Sequence, residues 1–194
     1  MRPLAVPAVA LLLSACAGQP PVPELDWERH RAGIAALTDW QARGKVGLRT
    51  PERSDSASLD WTQRGGVSLL RLSGPIGLNN VVIRSDGQRL ELQRDGDTRA
   101  WDQPDEVPLR ELTGWELPLQ ALPYWLRGIP APGDAVDRLE TEGGLLRQLE
   151  QDRWQISYQS HAAFGGLLLP TRLELSRGDT RVRVILRQWL PLTP

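Results

Sequence analysis

The stretch Ser56–Gly66, S-A-S-L-D-W-T-Q-R-G-G, decides the fold class. Its apolar residues Ala57, Leu59 and Trp61 alternate with small or polar residues. This is the period of a β-strand that has one dry face and one wet face. The run ends in two consecutive glycines, a composition typical of a tight hairpin turn. The stretch therefore predicts a half-buried antiparallel strand that turns into its neighbour.

The same alternation recurs along most of the chain. Apolar residues two positions apart occur around Leu90, Ile156, Leu173 and Val184, and glycine-containing turns separate these segments. The period-two criterion gives about ten or eleven strands. A sheet of that size with one apolar face has to curl into a barrel or be covered. We therefore expect a mainly β protein whose curled sheet encloses a hydrophobic cavity.

Two regions break the strand pattern. Residues 24–40 carry apolar side chains at helical spacing among charged ones, which predicts an amphipathic N-terminal helix. Between residues 103 and 133, six prolines accompany two helix-like segments, 105–114 and 119–128. We interpret this region as a helical insertion between two groups of strands, lying as a lid across the dry face of the sheet.

The N-terminus has the layout of a secretory signal. One arginine precedes the apolar run Leu4–Leu13, which is too short to cross a membrane as a helix, since that takes about twenty apolar residues. The following Leu13-Ser14-Ala15-Cys16 resembles the bacterial lipobox. That resemblance implies that Cys16 is acylated and becomes the first mature residue.

Cys16 is the only cysteine, so it can form no disulfide within the chain. The alternative is an ordinary small residue in a plain signal peptide. We divide the chain into a signal peptide at 1–15, a lipidated N-terminus and proline-rich tether at 16–23, and one domain at 24–194. Two or three acyl chains on one cysteine would hold the protein on a membrane, because each buried CH₂ contributes about 0.8 kcal/mol.

A second apolar feature lies in a turn-like segment, Ser73–Asn80, which reads S-G-P-I-G-L-N-N. Glycine, proline and asparagine favour a surface turn, yet Ile76 and Leu78 are branched aliphatic residues. One interpretation is an apolar tip that meets a membrane, formed by Pro75, Ile76, Gly77 and Leu78. The alternative is a hydrophobic edge that packs back on the domain.

The composition argues against several other functions. Without residues 1–15 the chain has 22 basic and 24 acidic residues, and it lacks the strongly basic patch that nucleic-acid binding usually needs. His30 and His161 are the only histidines, and we place the latter in a glycine-rich turn. No Cys/His cluster has metal-ligand spacing, and the chain has no phosphate-binding G-x-x-x-x-G-K-[ST] or nucleophilic G-x-S-x-G motif. We therefore predict no metal, no cofactor and no enzymatic activity.

Several short motifs along the chain resemble, in order and spacing, those of the LolB family of outer-membrane lipoprotein receptors. None is diagnostic alone, but together they cover nearly all of the chain after residue 24. They are Trp27, Leu37 and Trp40; Arg43-Gly44-Lys45-Val46; Leu59-Asp60-Trp61-Thr62-Gln63; Gly74-Pro75-Ile76-Gly77; Pro118-Leu119 with Leu122; Trp125-Leu126-Arg127-Gly128 with Pro130; Trp154-Gln155-Ile156-Ser157-Tyr158; Leu169-Pro170 with Leu173 and Leu175; and Val184 with Trp189.

The resemblance implies a half-open antiparallel barrel of eleven strands, closed by helices around a hydrophobic cavity. It implies a monomer on the periplasmic face of the outer membrane that accepts lipoproteins from the periplasmic carrier LolA and inserts them into that membrane. Ala17 stands where lipoproteins retained at the inner membrane often have Asp, which favours the outer membrane. The position of Ile76 matches a membrane-active aliphatic residue of the family, usually Leu.

Eight apolar or aromatic residues are our candidates for the acyl-binding cavity. For each one, the alternative is an ordinary core residue, whereas eight tryptophans beside one phenylalanine favour a special interior. We assign Trp40, Trp101, Trp115 and Trp189 to packing. A second functional hypothesis is an envelope scaffold lipoprotein that binds no acyl chains. The eight candidates are Leu59, Trp61, Leu70, Leu122, Trp125, Trp154, Ile156 and Tyr158.

Overall fold

The structure, a computed structural model, describes residues 25–74, 80–102, 118–133 and 135–192. Two helices and eleven strands lie in these ranges. They are α1 Trp27–Ala35, β1 Trp40–Arg49, β2 Ser54–Arg64, β3 Val67–Ser73, β4 Val81–Ser85, β5 Arg89–Arg94, β6 Asp97–Asp102, α2 Leu122–Arg127, β7 Val136–Glu142, β8 Leu145–Gln151, β9 Trp154–Phe164, β10 Leu167–Arg177 and β11 Thr180–Pro191.

All eleven strands form one antiparallel sheet in the order β6-β5-β4-β3-β2-β1-β11-β10-β9-β8-β7. The first and last strands, β1 and β11, pair in the middle, and β6 and β7 are the two edges. The predicted mainly β fold, with an open, antiparallel sheet of eleven strands, is confirmed. The turn predictions also hold, since glycines with positive φ lie in the hairpin turns, at 65–66, 143–144 and 178 among others.

The inward-facing positions are those that the alternation predicts. In β2, Ala57, Leu59 and Trp61 are buried, whereas the residues between them are half-buried or exposed. Buried side chains from every strand except the edges, together with those of α2, form one hydrophobic cluster. Because a single sheet supplies nearly all of this core, its strands wrap around their own apolar face.

One glycine shapes the middle of the sheet. The register between β1 and β11 shifts between Arg43 and Gly44, which is a β-bulge. A Cβ atom at Gly44 would overlap the carbonyl oxygen of Ile185 on β11. Glycine is therefore needed here for close backbone approach, and the bulge increases the local twist that helps the sheet to curl.

Both described helices are shorter than the sequence predicted. The helix expected over 24–40 ends at Ala35, because Trp40 begins β1 and pairs with Pro191 and Gln63. Its start is fixed by Asp26, whose side chain accepts a hydrogen bond from the Arg29 amide at 3.0 Å. The helix expected over 119–128 spans Leu122–Arg127, and the segment 105–114 lies outside the described residues.

Candidate functional site

The eight candidate cavity residues come together in the interior. Each is at most 6% exposed, and all belong to the single core cluster. They lie on four elements, and their contact with a ligand stays a prediction. Leu59 and Trp61 lie on β2, Leu70 on β3, Leu122 and Trp125 on α2, and Trp154, Ile156 and Tyr158 on β9.

Helix α2, which we call the lid, is tied to the sheet by buried hydrogen bonds. The Tyr158 hydroxyl donates to the Trp125 carbonyl oxygen at 2.9 Å, and the Trp125 indole Nε1 donates to Gln151 Oε1 at 2.9 Å. Gln151 Oε1 also accepts from the Ala131 amide, and its Nε2 donates to the Ala131 carbonyl. Burial raises the pKa of Tyr158, so its hydroxyl stays protonated and remains a donor.

A buried arginine joins the lid to α1. Arg127 is 5% exposed, and its guanidinium donates to the backbone carbonyls of Pro123, Ile34 and Leu37 at 2.7–3.1 Å. Desolvation lowers the pKa of this guanidinium from its usual value, although the group remains a cation at neutral pH. Carbonyls at the C-terminal end of a helix carry partial negative charge, which favours a cation there.

A cluster of indole rings lies in the interior where β1, β2 and β11 adjoin. The Trp40 ring centroid lies 5.1 Å from that of Trp189 and 6.2 Å from that of Trp61. Trp189 Nε1 donates to the Pro170 carbonyl at 2.9 Å. Among the described residues, by contrast, the buried Nε1 atoms of Trp40, Trp61 and Trp154 have no hydrogen-bond partner.

A cavity of about 380 Å³ lies between the lid and the sheet, and we call it the mouth cavity. Gln63 and Ser68 line it from β2 and β3, and Ala121 and Tyr124 line it from the lid side. Ligand pockets range from about 300 to 1,000 Å³, so this volume is at the small end. In the conformation described, the candidate residues are packed against one another, and the space for a long chain has to come from rearrangement.

A larger cavity, of about 700 Å³, lies elsewhere. It is next to the end of β3 and is lined by outward-facing charged side chains, among them Arg43, Asp60 and Arg71. Arg43 forms an ion pair with Asp60 at 3.0 Å. Of the eight candidates only Leu59 borders it. Leu72 and Val81 also line it, so its walls are partly charged and partly apolar.

The two histidines contact a backbone carbonyl and an aromatic ring: His30 Nε2 lies 3.1 Å from the Leu168 carbonyl oxygen, and the His161 ring centroid lies 6.1 Å from that of Tyr158. The prediction that His161 lies in a turn was wrong, because β9 extends through this residue to Phe164 and the turn follows at Gly165. Burial, Arg147 and His30 together lower the pKa of His161 to about 4. Among the described residues, no group of three or more His, Cys, Asp or Glu side chains could hold a metal ion.

Sequence reasoning missed the polar residues that hold the lid. Gln151 lies at the end of β8, whose burial pattern departs from strict alternation, so no period marked it as inward-facing. Arg127 was noticed only as part of a motif, and Trp40 only as packing. The one sequence signal for Arg127 was its position as a charged residue inside an apolar segment, next to Leu126. Cys16 and the tip residues Pro75, Ile76, Gly77 and Leu78 lie outside the described residues.

A single antiparallel sheet wrapped around an apolar interior, with a short helix across it, defines a class of proteins that can enclose apolar ligands. Two solved structures share this fold. A LolA superfamily protein from Nitrosomonas europaea aligns with a TM-score of 0.56 and 10% identity, covering 85% of this chain and 94% of that one. An outer membrane lipoprotein-sorting protein domain from Vibrio parahaemolyticus gives a TM-score of 0.59 and 9% identity, covering 86% and 91%.

Sequence comparison narrows this class to one family. The family model described as Outer membrane lipoprotein LolB matches residues 38–189. The outer-membrane lipoprotein LolB of Stutzerimonas stutzeri is 34% identical over 199 residues, covering 98% of this chain and 96% of that protein. The LolB of Pseudomonas aeruginosa strain LESB58 is 38% identical over 196 residues, covering 97% and 95%. The chain therefore belongs to the LolB family of outer membrane lipoproteins. Within the described ranges, neither helix is long and apolar enough to cross a membrane.

Proposed function

We propose that this protein accepts acylated lipoproteins from the periplasmic carrier LolA, shelters their acyl chains inside the curled sheet and inserts them into the outer membrane. The observation that carries this proposal is the apolar interior, to which nine strands and the lid contribute buried side chains. Keeping a hydrocarbon chain in water costs about 0.8 kcal/mol for each CH₂. A receptor must therefore offer an apolar surface throughout the transfer.

Entry of an acyl chain requires the lid to move. The mouth cavity of about 380 Å³ is small, and Trp125 and Leu122 of the lid are packed against the sheet. The bonds between the lid and the sheet are neutral, and each contributes about 1 kcal/mol net, whereas each bond of the Arg127 cation contributes about 1.5–3 kcal/mol. Opening would then cost a few kcal/mol and leave a minor open population that a ligand can select.

The direction of transfer would follow from differential affinity. Moving an acyl chain from one apolar environment to another makes and breaks no covalent bond, so the function needs neither an active site nor a cofactor. The chain must leave the carrier for a receptor that binds it better, and leave the receptor for the bilayer. A one-to-one exchange of this kind is consistent with a monomer.

Two features outside the described residues complete the proposal. Cys16, once acylated, would anchor the protein by two or three chains to the periplasmic face of the outer membrane. The tip formed by Pro75, Ile76, Gly77 and Leu78 would enter the acyl region of that membrane and promote release of the client. An aliphatic side chain is favourable there, because it leaves water for hydrocarbon.

Transfer of a labelled lipoprotein from LolA to vesicles that carry this protein tests the proposal. The wild-type protein should move the label into the vesicles. Ile76→Glu should fold normally and accept the client but fail to release it into the bilayer, because a carboxylate is costly in hydrocarbon. Ile76→Leu, which keeps size and apolarity, is the matched control and should retain transfer.

The outcomes separate the parts of the proposal. Normal transfer by Ile76→Glu would remove the tip from the mechanism. Failure of the wild-type protein to take the client from the carrier would contradict the receptor function itself. Cys16→Ala should give a soluble, folded protein, and a membrane-bound variant would contradict the assignment of the anchor.

A further inference from the structure

Among the described residues, five tryptophans are almost completely buried, but only some of their indole N–H groups have a hydrogen-bond partner. Trp125 donates to Gln151 and Trp189 donates to the Pro170 carbonyl, both at 2.9 Å. Within the described part of the chain, the Nε1 atoms of Trp40, Trp61 and Trp154 have no partner. The fold thus provides acceptors for some buried indoles and leaves other donors unbonded.

An unbonded buried donor is unfavourable, because it has lost its hydrogen bond to water and gained none. A pocket for hydrocarbon alone gains nothing from such a group, since a CH₂ chain accepts no hydrogen bond. Phenylalanine would supply an apolar ring without this cost. The unbonded donors therefore indicate a ligand that brings its own acceptor atoms.

Trp40 and Trp61, which we call the indole pair, lie next to the mouth cavity. Trp40 is opposite Gln63 in the register of β1 and β2, and Gln63 lines the cavity. Trp61 lies two residues before Gln63 on the same inward face of β2. The indole pair thus adjoins Gln63, which forms part of the cavity wall. Trp154 lies beside the lid instead, with its ring centroid 6.3 Å from that of Trp125.

We propose that the indole pair donates hydrogen bonds to carbonyl oxygens of the ester or amide groups that join acyl chains to a lipid head. The site would then recognise acyl esters and amides, with their chains extending into the core and their carbonyls near the mouth. This inference rests on the proposed function. It adds specificity to a cavity that would otherwise select its ligands only by their apolarity. Lipid ester carbonyls are good acceptors, and a desolvated interior strengthens the bond.

The test compares two synthetic ligands that differ only in their carbonyls. One is an S-diacylglyceryl cysteine peptide with ester-linked chains, and the other is the same peptide with ether-linked chains. Wild-type protein should bind the ester form about tenfold more tightly, as expected for one or two neutral hydrogen bonds. Trp61→Phe and the double variant with Trp40→Phe should lower this ratio toward about 1 while keeping affinity for the ether form.

Trp189→Phe is the matched control, because it removes a ring of the same size whose N–H is bonded to Pro170. It should lower the denaturant midpoint and leave the ester preference intact. Replacement of Trp61 by 3-benzothienylalanine, which keeps the ring size and lacks the N–H, separates loss of the donor from loss of volume. It should lower the ester preference without lowering the midpoint.

Equal binding of both ligands by the wild-type protein would overturn the inference and leave the acyl-binding function standing. Binding of neither ligand would overturn both. A lowered midpoint for the benzothienyl variant, with the ester preference kept, would mean that the indole N–H is bonded to ordered water and has no part in recognition.

Discussion

The lid and the indole pair both belong to the apolar core, but their polar atoms are bonded differently. At the lid, the polar atoms of Trp125, Tyr158 and Gln151 are joined in buried hydrogen bonds. At the indole pair, the donors of Trp40 and Trp61 are unbonded among the described residues. The surrounding apolar side chains are buried to a similar extent in both regions.

This difference separates stability from function within one core. A bonded polar group in an apolar interior fixes the position of the element that carries it, here the lid. An unbonded donor stabilises nothing in the free protein, so a ligand can use it. We therefore expect substitutions at the lid to change the free energy of unfolding, and substitutions at the indole pair to change ligand preference.

The largest effect should come from Gln151→Ala. This change leaves the Trp125 indole and both backbone groups of Ala131 without their side-chain partner, and each buried unsatisfied group costs about 1–3 kcal/mol. We expect the free energy of unfolding to fall by about 3–5 kcal/mol in urea denaturation. Gln155→Ala, at an exposed position of β9, is the control and should change it little. Similar changes in the two variants would contradict the view that the buried hydrogen bonds of the lid stabilise the fold.

A smaller effect is expected for Tyr158→Phe. It removes only the hydroxyl that donates to Trp125, so the stability loss should be about 1 kcal/mol. Because this bond joins the lid to β9, its loss should favour the open state and accelerate uptake of an acyl ligand, measurable by stopped-flow fluorescence. An unchanged uptake rate together with reduced stability would show that lid opening does not involve this contact.

The prediction with the smallest effect at neutral pH concerns the titration of His161. His161 is half-buried, with its ring centroid 6.1 Å from that of Tyr158, and its pKa is lowered to about 4. The folded state therefore binds fewer protons than the unfolded state between pH 6.5 and 4. The contribution of His161 to the free energy of unfolding is full above pH 6.5 and is lost as the pH is lowered to 4. His161→Gln should flatten that part of the profile.

His30→Gln is a useful comparison for the pH experiment. Burial lowers the pKa of His30, while its hydrogen bond to the Leu168 carbonyl acts in the opposite direction. We expect His30→Gln to flatten the profile less than His161→Gln does. An unaltered slope in the His161 variant would place the titrating group elsewhere.

The sequence was sufficient to predict the strands and which of their residues face inward. Period-two alternation marked Leu59 and Trp61 correctly because the sheet has one dry face, and turn glycines marked the hairpins. The same alternation made the large curled sheet predictable, since a single-layered apolar face must be enclosed. All eight candidate cavity residues proved to be buried for this reason.

Sequence periodicity could not reveal the partners of the buried polar atoms. Gln151 and Trp125 are 26 residues apart, and Arg127 donates to the carbonyls of Ile34 in α1 and of Leu37 after it, which are 93 and 90 residues away. Such bonds depend on how the lid docks, which no local pattern records. The end of α1 was missed for a related reason, because pairing with β2 and β11 draws Trp40 into the sheet.

The central claim is that the interior binds acyl chains, and quenching of tryptophan fluorescence tests it most directly. The soluble variant Cys16→Ala would be titrated with a fatty-acyl ligand that carries bromine atoms along its chain, because bromine quenches indoles only in close contact. Saturable quenching that is lost in excess unbrominated ligand is the expected result. Fluorescence that stays unchanged at saturating ligand would contradict the claim and would favour a scaffold that binds no acyl chain.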